Sequence, residues 1–175
     1  QKAWTNDTLG LGGTPTTWDI VPVYVPTDIT TSNATLSRQP TQITPEIATT
    51  GVLSYAGVFP LSLFTAVGGE QAIVIHVADQ GLVVITGCGH PGLENIVVRA
   101  EALYQQPVVG IVGGLHYGGA GAEDLADPIA FVASREIQLL AMSPHDSEPA
   151  ALEAFASALP DAYHTLRVGE AIRFP

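Results

Sequence analysis

Three histidines follow three apolar runs at nearly the same distance. His90 stands four residues past the run that ends at Thr86, in the stretch TGCGHPGLENI. His116 stands three residues past Gly113, the end of VVGIVG, and His145 three past Met142, the end of IQLLAM. Imidazole is the commonest metal ligand in proteins, so three of them delivered to one place point to a divalent-metal site. Each has a plainer reading as well: His90 as a residue at a helix start, His116 as a group that orders YGGAG, His145 as a loop residue. The acids nearest these loops are Glu70 and Asp146, candidates for a general base or for orienting a ring; Asp146 directly follows His145. Cys88, the single cysteine, is a candidate soft ligand or reactive thiolate, or an inert buried thiol. GCGHPG lacks the Lys-Ser/Thr ending of a phosphate loop. His76 and His164 sit in strand patterns and read as structural.

The elements that would position these residues are clear from residue 68 onward. Residues 71–77 and 82–86, joined by ADQG, read as a hairpin. Residues 93–104 carry apolar side chains at Leu93, Ile96, Val97, Ala100 and Leu103, a helical spacing. VVGIVG reads as a strand buried on both faces. A helix is expected over 122–135, with Pro128 near its first turns, then a strand over 137–142. Pro149 behind Glu148 opens a helix over 148–159. YHTLRV and EAIRF, split by Gly169, read as a closing hairpin. This β-β-α-β-α-β-α-β-β order predicts an α/β fold with a largely parallel sheet. Ligands bind such sheets beyond the carboxyl ends of the strands, where all three histidines fall. Residues 1–50, rich in Thr, Pro, Asn and Ser, read as an extended, loop-rich arm, and 51–175 as the domain proper.

Composition narrows the function classes. The chain has 175 residues, 46% apolar and 13% charged, enough for one sizeable core. Its formal net charge of −11 argues against nucleic-acid and anionic-membrane partners, which need clustered cations. One cysteine excludes an internal disulfide. Neither a transmembrane-length apolar run nor a signal peptide is visible, so a soluble protein is expected, cytoplasmic or exported after processing.

GGEQAIVIHVADQGLVVITGCGHPGLENIV, then VGGLHYGG, then a strand and PH, resembles the C-terminal half of the metallo-β-lactamase superfamily. The resemblance is to the branch of dihydropterin/ribofuranosylaminobenzene-phosphate synthase-like metal-dependent hydrolases. That branch reads roughly GCxHxGxxN, then GGxHL, then PxHCTG. Gly87, Cys88, His90, Gly92 and Asn95 match the first motif, and Gly113, Gly114 and His116 the second, with Tyr117 in place of Leu. The resemblance implies half of an αββα sandwich, a mixed sheet with helices on one face. It implies His90 and His145 as metal ligands, and His116 as ligand or substrate contact. The ion would be zinc, with iron or manganese as alternatives, and it would activate water for attack on an ester, phosphoester or lactone bond of a small molecule. Two departures matter. The first-half motif HxHxDH is absent from these residues, Gln1 falling after its expected place, so a partner is expected: an N-terminal half-domain chain or a second copy. The final motif reads His145-Asp146-Ser147-Glu148 in place of HCTG. The alternative is a non-catalytic binding or structural module on the same scaffold.

Overall fold

The computed structural model describes residues 23–26, 34–54, 69–145 and 147–174. Among these the order is β1 (Val23–Val25), β2 (Ala34–Leu36), β3 (Thr41–Thr44), β4 (Ile47–Thr49), β5 (Ile73–Val77), β6 (Gly81–Thr86), α1 (Leu93–Tyr104), β7 (Val108–Gly113), α2 (Ala122–Ala133), β8 (Leu139–Met142), α3 (Pro149–Ala158) and β9 (Tyr163–Thr165). β1 and β2 pair in parallel as a small separate sheet. β3 to β9 form one seven-stranded sheet in chain order.

That sheet changes character at β6. From β3 to β6 the neighbours are antiparallel, and from β6 to β9 they are parallel. The connections explain the change. A short turn reverses the chain between β5 and β6, whereas each later crossover carries a helix and returns the chain to the same end of the sheet. The sheet is therefore mixed. The hairpin of β3 and β4, within the stretch read as an arm, lies in this sheet beside β5.

One sequence expectation is corrected. The closing hairpin does not form: β9 lies parallel to β8, and residues 166–174 contribute no strand. Gly169 takes a turn with φ 83°. Phe174 instead reaches the sheet, where its ring lies 3.1 Å from the point a Cβ on Gly110 would occupy. The alternating pattern of EAIRF served to seat this one ring rather than to pair a strand.

The helices share one face. A single core cluster unites Leu93, Ile96, Val97 and Ala100 of α1, Leu125 and Val132 of α2, and Ala151 and Phe155 of α3 with Val74, Leu82, Val84, Ile111, Leu140 and Met142 of the strands. Register puts those strand residues on one face: Val74 opposes Val84, Val84 opposes Ile111, and Ile111 opposes Leu140. Burying each of the larger side chains contributes about 1.5–3 kcal/mol before chain entropy is counted. The opposite face carries the row Ile73, Ile85, Val112 and Ala141. Ile73 and Ile85 are 39% and 38% exposed, so this apolar row is left partly open. Among the described residues no helix is long and apolar enough to cross a membrane.

Candidate functional site

The loops after β6, β7 and β8 lie together at the carboxyl edge of the parallel strands. Their backbones touch: Gly114 N donates to Gly87 O at 2.8 Å, and Ser143 N donates to Gly113 O at 2.8 Å. Such contact needs residues without side chains. Gly89 has φ 75°, and a Cβ there would lie 2.6 Å from Gly114 O. The glycines of TGCGHPG and VGGLHYGG therefore let the loop of His90 and the loop of His116 share one surface.

Glu70 anchors the first of these loops. It precedes β5, its backbone held in an isolated bridge to Leu53, next to the carboxyl end of β6. Its carboxylate accepts four hydrogen bonds. Oε1 takes Gly89 N at 2.9 Å and Thr86 Oγ1 at 3.3 Å. Oε2 takes His90 N at 3.2 Å and lies 2.9 Å from His90 Nδ1. An ionised carboxylate only accepts, so the proton in that last contact sits on Nδ1. A neutral ring then carries its lone pair on Nε2. The His90 ring lies beside that of His116, with centroids 4.5 Å apart and planes 48° to one another.

His116 is held in an unusual backbone conformation, with φ 50°. Only a few per cent of non-glycine residues adopt it, histidine more readily than most. The loop around it is pinned from the β8 side. Tyr117 N donates to the buried Ser147 Oγ at 3.2 Å, and Gly119 N donates to Glu148 Oε1 at 3.1 Å. The Tyr117 ring packs against Phe155 of α3 at 5.2 Å. Burial, with the charge of Glu94 adding to it, holds the Tyr117 hydroxyl well above the usual tyrosine range. Ser147 and Glu148 were legible only as the departure from HCTG; nothing in the sequence marked them as supports of the His116 loop.

The sequence candidates thus fall into two groups. Glu70, His90 and His116 come together. His145 is exposed in the turn after β8, its amide donating to Ser143 Oγ at 3.2 Å. Asp146 lies outside the described residues. Cys88 is a half-buried thiol in the first loop, outside any disulfide. His76 stacks on Tyr104 at 5.6 Å, and His164 pairs with Glu170 at 3.3 Å, both away from these loops.

The donor set fits part of a divalent-metal site. A metal-binding histidine commonly gives its other ring N–H to a carboxylate, which is what His90 does with Glu70. A second imidazole, that of His116, adjoins it. Among the described residues, however, no group of three or more His, Cys, Asp or Glu side chains converges as a metal cage.

No family model matches the chain, and no curated protein does. Among solved structures it is similar to Tm1679, a metal-dependent hydrolase of the beta-lactamase superfamily, with a TM-score of 0.65 and 17% identity. The match covers 81% of this chain and 59% of that one. A likeness at that identity establishes architecture: the seven-stranded mixed sheet with its helices on one face matches part of a metallo-β-lactamase sandwich.

Proposed function

We propose that this chain provides the C-terminal half of the active site of a metal-dependent hydrolase with the metallo-β-lactamase fold. The observation that carries the reading is the Glu70–His90–His116 arrangement at the carboxyl edge of the sheet. His90 and His116 would hold the ion, with His145 as a further ligand from the neighbouring loop. The ion is zinc, or iron or manganese. When bound, such a cation polarises the scissile bond and lowers the pKa of a water molecule. The chain's own residues orient the ligands and shape the wall that a small ester, phosphoester or lactone would meet.

The remaining ligands come from a partner bearing HxHxDH, or from a second copy. Two facts support this. The described residues supply fewer than three convergent donors. The apolar row Ile73, Ile85, Val112 and Ala141 offers a face on which a second sheet could pack.

Native mass spectrometry with metal analysis of the chain as isolated tests the proposal. A second polypeptide or second copy, with about one to two divalent ions per assembly, is expected of a hydrolytic mono- or dinuclear site. Hydrolysis of a p-nitrophenyl phosphoester or lactone panel should be lost in His90→Ala. A metal-free monomer that hydrolyses none of these would overturn the proposal and leave a non-catalytic module.

A further inference from the structure

We infer that Glu70 is the positioning residue of this site: it sets the tautomer and the orientation of the His90 ring, placing the ring's lone pair on Nε2. The inference rests on the hydrolase reading for its purpose, but its chemistry is local. Glu70 was a candidate base on sequence. Its surroundings suit another task. Both oxygens are already committed, Oε1 to Gly89 N and Thr86 Oγ1, Oε2 to His90 N and Nδ1. Oε2 grips one residue twice, by its backbone amide and by its ring. That double contact fixes the His90 side-chain rotation as well as the place of its proton. The carboxylate and the imidazole are 16% and 23% exposed, so water competes little for either contact.

An isosteric change makes the inference sharp. In Glu70→Gln one terminal oxygen becomes an NH2 group, which must face donors on one side or the other. Facing Gly89 N it would lose a 2.9 Å contact; facing His90 N it would lose a 3.2 Å contact. The longer contact costs less to lose, so the NH2 turns toward His90. There it donates to Nδ1, and the ring proton moves to Nε2. A ring protonated on Nε2 has no lone pair to offer a metal from that atom.

The test is nitrogen-15 NMR of the histidine side chains at pH 8, with Co2+ titration followed by visible absorption. Wild type should show His90 protonated on Nδ1. Glu70→Gln should show it protonated on Nε2 and bind Co2+ about 10- to 100-fold more weakly, the usual effect of losing a carboxylate behind a histidine ligand. The wild-type spectrum needs no variant, so a misfolded Glu70→Gln would not shield the inference. A wild-type His90 protonated on Nε2, or a folded Glu70→Gln with both its His90 tautomer and its Co2+ affinity unchanged, would overturn it. The expected tautomers, with no Co2+ bound by the wild-type chain even when it is assembled with its HxHxDH-bearing partner or a second copy, would uphold Glu70 as the positioning residue while overturning the hydrolase reading.

Discussion

The contact between the two histidine loops makes Gly89 the most informative single position. Replacing it with Ala imposes two penalties. A side chain at φ 75° costs about 1–2 kcal/mol from backbone sterics alone. The new Cβ would also sit 2.6 Å from Gly114 O and 2.8 Å from Leu115 Cα, both backbone atoms that cannot rotate away. Separating the loops to relieve that overlap should add about 1–3 kcal/mol, as overpacking of a well-packed region does. The sum, about 2–5 kcal/mol, is a large share of the ~5–15 kcal/mol by which domains are stable. Two other glycines separate the penalties. Gly119 has φ 72° with nothing within 4 Å of its Cβ position, so Gly119→Ala should show the backbone term alone, about 1–2 kcal/mol. Gly87 has no positive φ, and its Cβ would meet only Glu70 Oε1 at an ordinary 3.5 Å; Gly87→Ala should fall within about 0.5 kcal/mol of wild type. Urea unfolding followed by far-ultraviolet circular dichroism, with a common slope, measures all three. A Gly89→Ala protein no less stable than Gly119→Ala would refute the loop contact on which the shared histidine surface depends.

Three further outcomes follow from the same structure. His116→Gly should stay within about 1 kcal/mol of wild-type stability, because relief at φ 50° offsets the lost ring contact, whereas truncating the buried neighbour in Leu115→Ala should cost about 2–4 kcal/mol; urea midpoints compare them. Arg135 reaches both oxygens of Glu101, at 2.7 and 2.9 Å, and lies over the Phe131 ring. With the pair 30% and 24% exposed, Arg135→Lys should cost only about 0.5–1 kcal/mol, less in 1 M NaCl; a cost that salt does not change would assign the effect to the ring contact. The raised Tyr117 hydroxyl favours the fold only while the unfolded chain keeps its tyrosine protonated. Its contribution is whole below pH 10 and fades as the pH climbs from there toward the raised value. Tyr117→Phe should therefore lose less stability than wild type between pH 9 and 11, read by urea midpoints at each pH.

Much of this architecture was readable from side-chain spacing, and the failures have physical causes. The helix over residues 93–104 and the strand over 108–113 match α1 and β7, because Leu93, Ile96, Val97 and Ala100 mark one helical face and VVGIVG is buried almost throughout. The expected last hairpin failed because alternation in EAIRF is the same whether the segment pairs or merely seats Phe174. The edge of the sheet that gathers the histidines followed from the parallel crossovers. Which histidines meet did not follow, because the approach of Gly89 to Gly114 and the left-handed backbone of His116 are tertiary facts.

The place of Glu70 was nevertheless within reach. The β5–β6 hairpin pairs Ile73 with Ile85. Extending that antiparallel register three residues beyond the Ile73–Ile85 pair puts Glu70 opposite Cys88, in the loop that carries Gly89 and His90. The Glu70–His90 contact is thus set by a local hairpin, closed across a separation of 20 residues. The His90–His116 contact needs α1 to form and β7 to dock in parallel beside β6, a longer closure with a larger entropy cost. The two halves of the site therefore differ in robustness. A change that loosens β7, such as Val108→Ala, should separate the histidine rings before it frees His90 from Glu70. Histidine side-chain NMR would detect this as an altered His116 environment with the His90 tautomer retained. The opposite order would mean that the loop contacts, and not the hairpin, place Glu70.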